Sequence, residues 1–288
     1  MKPAIRPIAQ LPLSFSASVK KMLSPVRPLS QACLAAMLAT ISITSLVHAP
    51  AARADTVMSP GEKAPMAKNI ATETLLEGLD HPWSMAFLPD NGGMLITERS
   101  GALNFWKPGN DKPTPINGMP QVWAQGQGGL LDVVLAPDFA TSRHVYLSYA
   151  EEGKDGKAGT AVGFGTLSAD NTSLADFKVV FRQEPKLSTG NHFGSRIIFD
   201  RKGYMFIALG ENNQRPTSQD LDKLQGKIVR LFPDGRIPKD NPFVGKQGAR
   251  PEIWSYGHRN QQGAALNPWS GALWTNEHGP RGGDEVNI

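Results

Sequence analysis

The chain has 288 residues, with 30 basic side chains against 26 acidic ones and a formal charge of +4. Six of the basic residues (Lys2, Arg6, Lys20, Lys21, Arg27 and Arg53) lie in the first 54 positions, where there is no Asp or Glu. The remainder therefore carries 24 basic against 26 acidic residues, or −2, and gives no reason to invoke nucleic acid or an anionic membrane surface as a partner.

Residues 1–54 read as a secretory signal. An apolar run of about 16 residues, Ala32 to Val47, follows the basic part. Ala52-Arg53-Ala54 then sets small residues at the two positions a signal peptidase reads. The run is short for a membrane span of about 20 residues, and no span is expected once the signal is removed. There is no adjacent pair of arginines, which favours general export over the twin-arginine route. The single cysteine, Cys33, stands at the head of the apolar run, whereas a lipoprotein cysteine would follow it. It leaves with the signal, so the mature chain has no thiol to misoxidise. The expected destination is the periplasm.

Residues 55–80 read as a lead-in segment and 81–288 as the folded domain. With 29 glycines, 23 prolines and no long apolar stretch of helical period, this part points to many short strands joined by turns. One pattern recurs four times. Pro82 to Pro89 turns at Gly92-Gly93 into Met94 to Thr97, and Gly129 to Pro137 leads to His144 to Tyr149. Gly194 to Asp200 turns at Lys202-Gly203 into Tyr204 to Ala208, and Gly263 to Pro268 turns at Ser270-Gly271 into Ala272 to Thr275. Each copy is a β-hairpin signature, and four in series predict an all-β fold, a β-propeller. The repeats are separated by 48, 64 and 67 residues, counted between Phe87, Leu135, Phe199 and Leu266. Simple propeller repeats run to about 40–50 residues, so the later blades carry long inserted loops, where sites are usually built. Within one insertion, Thr217 to Leu224 has a capping residue and early acids and predicts a short helix. An irregular β-sandwich is the other architecture this pattern allows.

The polar stretches all sit at hairpin ends. Gln125-Gly126-Gln127-Gly128-Gly129 presents an amide within a glycine-rich strand entrance and lacks the Lys-Ser/Thr ending of a phosphate loop. Gly190-Asn191-His192-Phe193-Gly194 sets an imidazole, the usual general base near neutral pH, between glycines that admit a ligand close to the backbone. Its plainer reading is a loop histidine bonded to a nearby carbonyl. Gly257-His258-Arg259-Asn260-Gln261-Gln262-Gly263 offers a guanidinium for an anion and an amide for directed hydrogen bonds, or else is a solvated connection. Glu277-His278-Gly279-Pro280 with Asp284-Glu285 mixes carboxylates with a Gly/Pro turn whose carbonyls suit Ca²⁺. No second His or Cys stands at zinc spacing. In a propeller such loops converge around the central axis.

These segments, together with Leu209-Gly210-Glu211-Asn212, Gly226-Lys227-Ile228-Val229-Arg230-Leu231 and Ile237-Pro238-Lys239-Asp240-Asn241-Pro242, resemble the PQQ-dependent soluble glucose dehydrogenase and aldose sugar dehydrogenase family. The aldose sugar dehydrogenase branch is the nearer. The resemblance runs from about His81 to the end, with seven motifs in family order. It implies a six-bladed propeller, of which this chain would hold about four blades, so the sequence reads as C-terminally truncated.

The resemblance also implies roles. His192 matches the base that takes the proton from the anomeric hydroxyl of an aldose, as hydride passes to PQQ and a lactone forms. Arg259 and Asn260 match contacts to the quinone, with Arg259 beside the oxygen where negative charge develops. Gln127 matches a further PQQ contact, and Glu211 an acidic residue close to the substrate. The carbonyls of Gly279 and Pro280 match ligands of a Ca²⁺ acting as Lewis acid, and Glu285 a second, structural calcium site. An external electron acceptor would reoxidise the cofactor. Two positions depart from the family pattern: Gln261 stands where Pro is frequent, and Asn191 where an acid precedes the histidine. The alternatives are a calcium-dependent lactonase or esterase on a similar propeller, and a non-catalytic propeller that binds carbohydrate or protein.

Overall fold

The computed structural model describes residues 70–188 and 190–288. The expected signal, residues 1–54, lies outside them, as does the first part of the lead-in. Residues 70–80 have no regular secondary structure, and Leu76 and Leu79 pack on Met94, Ile96 and Trp106.

Among the described residues fifteen strands build four sheets, each running outward in chain order with antiparallel neighbours. The first sheet holds β1 (Pro82–Phe87), β2 (Met94–Glu98), β3 (Leu103–Trp106) and β4 (Thr114–Ile116). The second holds β5 (Leu130–Leu135), β6 (His144–Glu152), β7 (Ala158–Leu167) and β8 (Leu174–Arg182). The third holds β9 (Gly194–Phe199), β10 (Met205–Leu209), β11 (Lys227–Leu231) and β12 (Ile253–Tyr256). The fourth has three strands, β13 (Gln261–Leu266), β14 (Leu273–Glu277) and β15 (Glu285–Asn287). The innermost strands β1, β5, β9 and β13 pack one against the next. Four blades in this arrangement form a β-propeller.

All four predicted hairpins are present, as β1–β2, β5–β6, β9–β10 and β13–β14. The predicted helix is not. A 3₁₀ turn spans Arg215–Ser218, and residues 219–225 are turns. Buried Lys227 explains the difference. Its ammonium donates to the carbonyls of Thr217, Ser218 and Gln225 at 2.7–2.9 Å. The Ser218 carbonyl also accepts the Gly257 N–H (2.9 Å), so both of its acceptor positions are filled from outside the segment, and these tertiary contacts override the local capping signal.

The apolar core lies between blades. Leu95, Leu103, Leu130, Leu147 and Tyr149 join blades 1 and 2, while Tyr146, Val162, Ile197, Ile207 and Val229 join blades 2 and 3. A fully buried Leu contributes about 1.5–3 kcal/mol relative to an exposed one. Blade 4 adds no residue to either cluster, and its boundary with blade 3 is polar. Gly194 N–H donates to Asn260 Oδ1 (3.0 Å), Arg196 Nε to the Gln262 carbonyl (2.7 Å) and His258 N–H to the Gly226 carbonyl (3.1 Å). Near the axis, Asp132 accepts from Ser84 Oγ (2.7 Å), Arg196 Nη1 (3.0 Å) and Ile197 N–H (2.9 Å), which stitches blades 1, 2 and 3 together.

Candidate active site

The site is assembled at the strand entrances on the polar side of the blade 3–4 boundary. The chain reaches β9 through His192, whose φ of +54° is left-handed. Gly210 opposite must be glycine. A Cβ there would lie 1.9 Å from the His192 carbonyl oxygen, closer than any contact a side chain tolerates. Two hydrogen bonds then fix the histidine. Its N–H donates to Gln127 Oε1 at 2.8 Å, and its Nδ1 lies 2.6 Å from Glu211 Oε2. The pair is buried, with the Glu211 side chain only 1% exposed. Nε2 has no partner among the described residues and is the ring's available nitrogen.

Arg259 continues the network through its peptide backbone. Its carbonyl accepts from Glu211 N–H at 2.9 Å, and its own N–H donates to Glu277 Oε2. Its guanidinium donates through Nη1 to the His278 carbonyl (3.0 Å), while the buried Nε finds no partner. Asn260 N–H also donates to Glu277 Oε2 (3.1 Å). Burial pushes the Glu277 carboxyl up, but hydrogen bonds from His258 and from the amides of Arg259 and Asn260 outweigh it, so it titrates below the ordinary carboxylate range.

Beside these residues opens a cavity of about 280 Å³. Trp83, Phe193 and Leu131 supply its apolar surface, and Arg99, Gln127 and Asn260 some of its polar groups. Aromatic faces, amides and the Arg99 guanidinium fit a flat, anionic, oxygen-rich ring system. His192 and Arg259 do not line the cavity themselves but directly precede its lining residues Phe193 and Asn260. The Gly279–Pro280 turn follows directly after His278. The Gly279 N–H is held by Asp284 Oδ1 (2.8 Å), and neither carbonyl of the turn accepts a hydrogen bond. Among the described residues no cluster of three or more His, Cys, Asp or Glu side chains can hold a metal. A cation at the turn would therefore rest on carbonyl oxygens, as hard-cation chemistry allows.

Of the residues singled out from the sequence, Gln127, His192, Glu211, Arg259 and Asn260 come together in one hydrogen-bonded network, with Gly279 and Pro280 adjoining it through His278. Glu211 sits behind the histidine, buried, rather than on the open side. Glu285 lies opposite Glu277 in the β14–β15 ladder with its side chain exposed and unpaired. Sequence reasoning missed Trp83 and Arg99, and placed Glu277 only within a stretch suited to Ca²⁺. One signal points to Glu277: His192 to Glu211 and His258 to Glu277 are the same 19-residue step, each ending in an Nδ1–carboxylate bond.

Over 225 residues the chain is 68% identical to the aldose sugar dehydrogenase of Escherichia coli K12, an alignment covering 78% of this chain and 60% of that protein. The crystal structure of the soluble aldose sugar dehydrogenase from Escherichia coli in its apo-form superposes with a TM-score of 0.74 at 69% identity, over 75% of this chain and 62% of that one. The PQQ-bound aldose sugar dehydrogenase of Streptomyces coelicolor gives a TM-score of 0.66 at 31% identity, over 75% and 62%. The chain thus spans about three fifths of the length of the relatives it matches. No helix among the described residues is long and apolar enough to cross a membrane. Residues 79–288 match the glucose/sorbosone dehydrogenase family profile, and the chain belongs to that family.

Proposed function

We propose that this chain carries the base and much of the cofactor site of a PQQ-dependent dehydrogenase that oxidises aldose sugars to lactones. The single observation that carries the reading is the His192 ring, with Nδ1 tied to buried Glu211 and Nε2 uncommitted, in a loop whose next residues, Phe193 and Gly194, line the aromatic and amide-lined cavity. A base so held has a fixed orientation and one open nitrogen, as proton abstraction from a hydroxyl requires. Glu211 stabilises the imidazolium that forms when His192 takes the anomeric proton. Gln127 keeps the loop in place through the His192 N–H. Arg259 and Asn260 would bind the quinone, with the guanidinium offsetting negative charge as it develops on the ring oxygen. PQQ supplies, when bound, the two-electron acceptor that takes hydride from the anomeric carbon. The carbonyls of Gly279 and Pro280 would hold a Ca²⁺ that polarises the quinone as a Lewis acid, and Glu285 would serve a second, structural calcium.

The proposal includes export to the periplasm, supported by the basic, apolar and small-residue order of residues 1–54, and an external acceptor for the electrons. The test is direct. The full-length gene product is purified, supplied with PQQ and Ca²⁺, and followed by dye reduction with a panel of aldoses. Sugar-dependent reduction that is lost in His192→Ala, with PQQ still bound, is the expected result. PQQ binding without reduction by any aldose would remove the dehydrogenase reading in favour of a binding propeller. Lactone or ester hydrolysis needing Ca²⁺ but not PQQ would favour the hydrolase.

A further inference from the structure

We infer that Glu277 is a positioning residue for the cofactor site, holding Arg259 and Asn260 by their backbones. This rests on the dehydrogenase reading above. The Glu277 carboxylate is 6% exposed and every acceptor position is occupied. Oε2 accepts the N–H groups of Arg259 and Asn260, and Oε1 takes His258 Nδ1 (2.9 Å) and Asn287 Nδ2 (2.9 Å). A carboxylate offers about four acceptor positions, so nothing is left for substrate or cofactor. Glu277 acts only through the residues it holds, and two of these are the proposed quinone contacts.

A hydrolytic role for the same cluster fails on geometry. Ser255 Oγ lies 2.8 Å from His258 Nε2, so Ser255, His258 and Glu277 are connected like a catalytic triad. Yet the Gly257 N–H donates to the Ser218 carbonyl (2.9 Å) and the His258 N–H to the Gly226 carbonyl (3.1 Å). The neighbouring amides are committed, and acyl chemistry would find no oxyanion donors there.

The sign of the charge makes the inference testable. A buried carboxylate near a site for an anionic quinone opposes binding through its field. Its favourable contribution must come from geometry. Removing only the charge from an uninvolved neighbour would tighten binding, whereas removing an anchor weakens it. Wild-type protein is titrated with PQQ in the presence of Ca²⁺ by tryptophan fluorescence, since Trp83 lines the cavity, and sugar-dependent dye reduction is measured in parallel. Failure of the wild type in both assays overturns the dehydrogenase reading and this inference with it. With an active wild type, Glu277→Gln raises the Kd for PQQ about tenfold and Glu277→Ala about a hundredfold, while KM for the sugar changes less than about threefold. An unchanged or tighter Kd in either folded variant overturns the inference, because a merely structural role lowers Tm without moving Kd. Should Glu277→Ala not fold, the near-isosteric Glu277→Gln decides alone.

Discussion

Blades 3 and 4 carry the same device at the same place. In each, a histidine before the inner strand meets a glutamate 19 residues later through Nδ1, at 2.6 Å for His192–Glu211 and 2.9 Å for His258–Glu277, and both pairs are buried. They differ in what the second ring nitrogen meets. Nε2 of His258 is taken by Ser255, and Glu277 is saturated by amide and side-chain donors. Nε2 of His192 is uncommitted, and Glu211 Oε1 lacks a partner. One repeat unit thus yields the proposed base in blade 3 and the proposed anchor in blade 4. Spare hydrogen-bonding capacity separates them.

The comparison breaks most sharply at the two histidines. His192→Ala should lower turnover by about 10³-fold or more with PQQ still bound, within the range set by general-base catalysis. His258→Gln should lower it less than about tenfold. Steady-state dye reduction at saturating PQQ reads both, and comparable losses would dissolve the distinction. Next in size is Glu211→Gln, which keeps the shape and removes the charge that stabilises the imidazolium. We expect turnover to fall about 10–100-fold with little change in PQQ affinity, the reverse of the pattern expected for Glu277→Gln.

A third prediction addresses the platform under the second pair. Lys227 pairs with Tyr256 in the β11–β12 ladder, and next to it Gly226 accepts the His258 N–H. Lys227→Met removes three hydrogen bonds and leaves the Gln225 carbonyl without a donor, and should cost about 1–3 kcal/mol by denaturant unfolding. Burial pushes the Lys227 ammonium down to about 8, from 10.5 for a free lysine. Above about pH 8 the folded chain has released a proton that the unfolded chain still binds, so unfolding takes up a proton and stability rises with pH. The wild type should therefore gain on Lys227→Met as pH goes from about 8 to 10. Beyond that Tyr146 and Tyr149, both pushed up to about 12 by burial from 10.0, act in the opposite sense. The smallest effect is expected at Ser255→Ala: about 1 kcal/mol or less of stability, with unaltered turnover. Labelling of Ser255 by a fluorophosphonate would contradict its assignment as a hydrogen-bond partner only.

Much of this was legible in the sequence. The hairpins could be read because Gly92-Gly93, Lys202-Gly203 and Ser270-Gly271 punctuate short apolar runs, a local signal. The outer strands gave no such signal. β8, for instance, carries exposed Ala175 and Asp176 and takes its form from its ladder with β7. The helix expected at Thr217–Leu224 failed for a related reason, since Lys227 takes its carbonyls from outside the segment. His192, Gln127 and the Arg259–Asn260 pair stood out because polar side chains between glycines are conspicuous. Glu277 drew notice only within a stretch suited to Ca²⁺, because it ends a strand and half of its partners are backbone amides, which are the same in every sequence. The apolar walls of the cavity, Trp83 and Phe193, looked like ordinary core.

One peptide unit gives the arrangement a mechanical consequence. The Arg259 carbonyl holds the amide of Glu211, while its N–H rests on Glu277. The orientation of the proposed base is thereby geared to the seating of a different blade, across a boundary that contains no apolar cluster among the described residues. Slippage of blade 4 by a fraction of an ångström would turn the imidazole before any strand unpaired. Damage far out on the fourth blade should therefore show itself first as a slow enzyme and only later as an unfolded one.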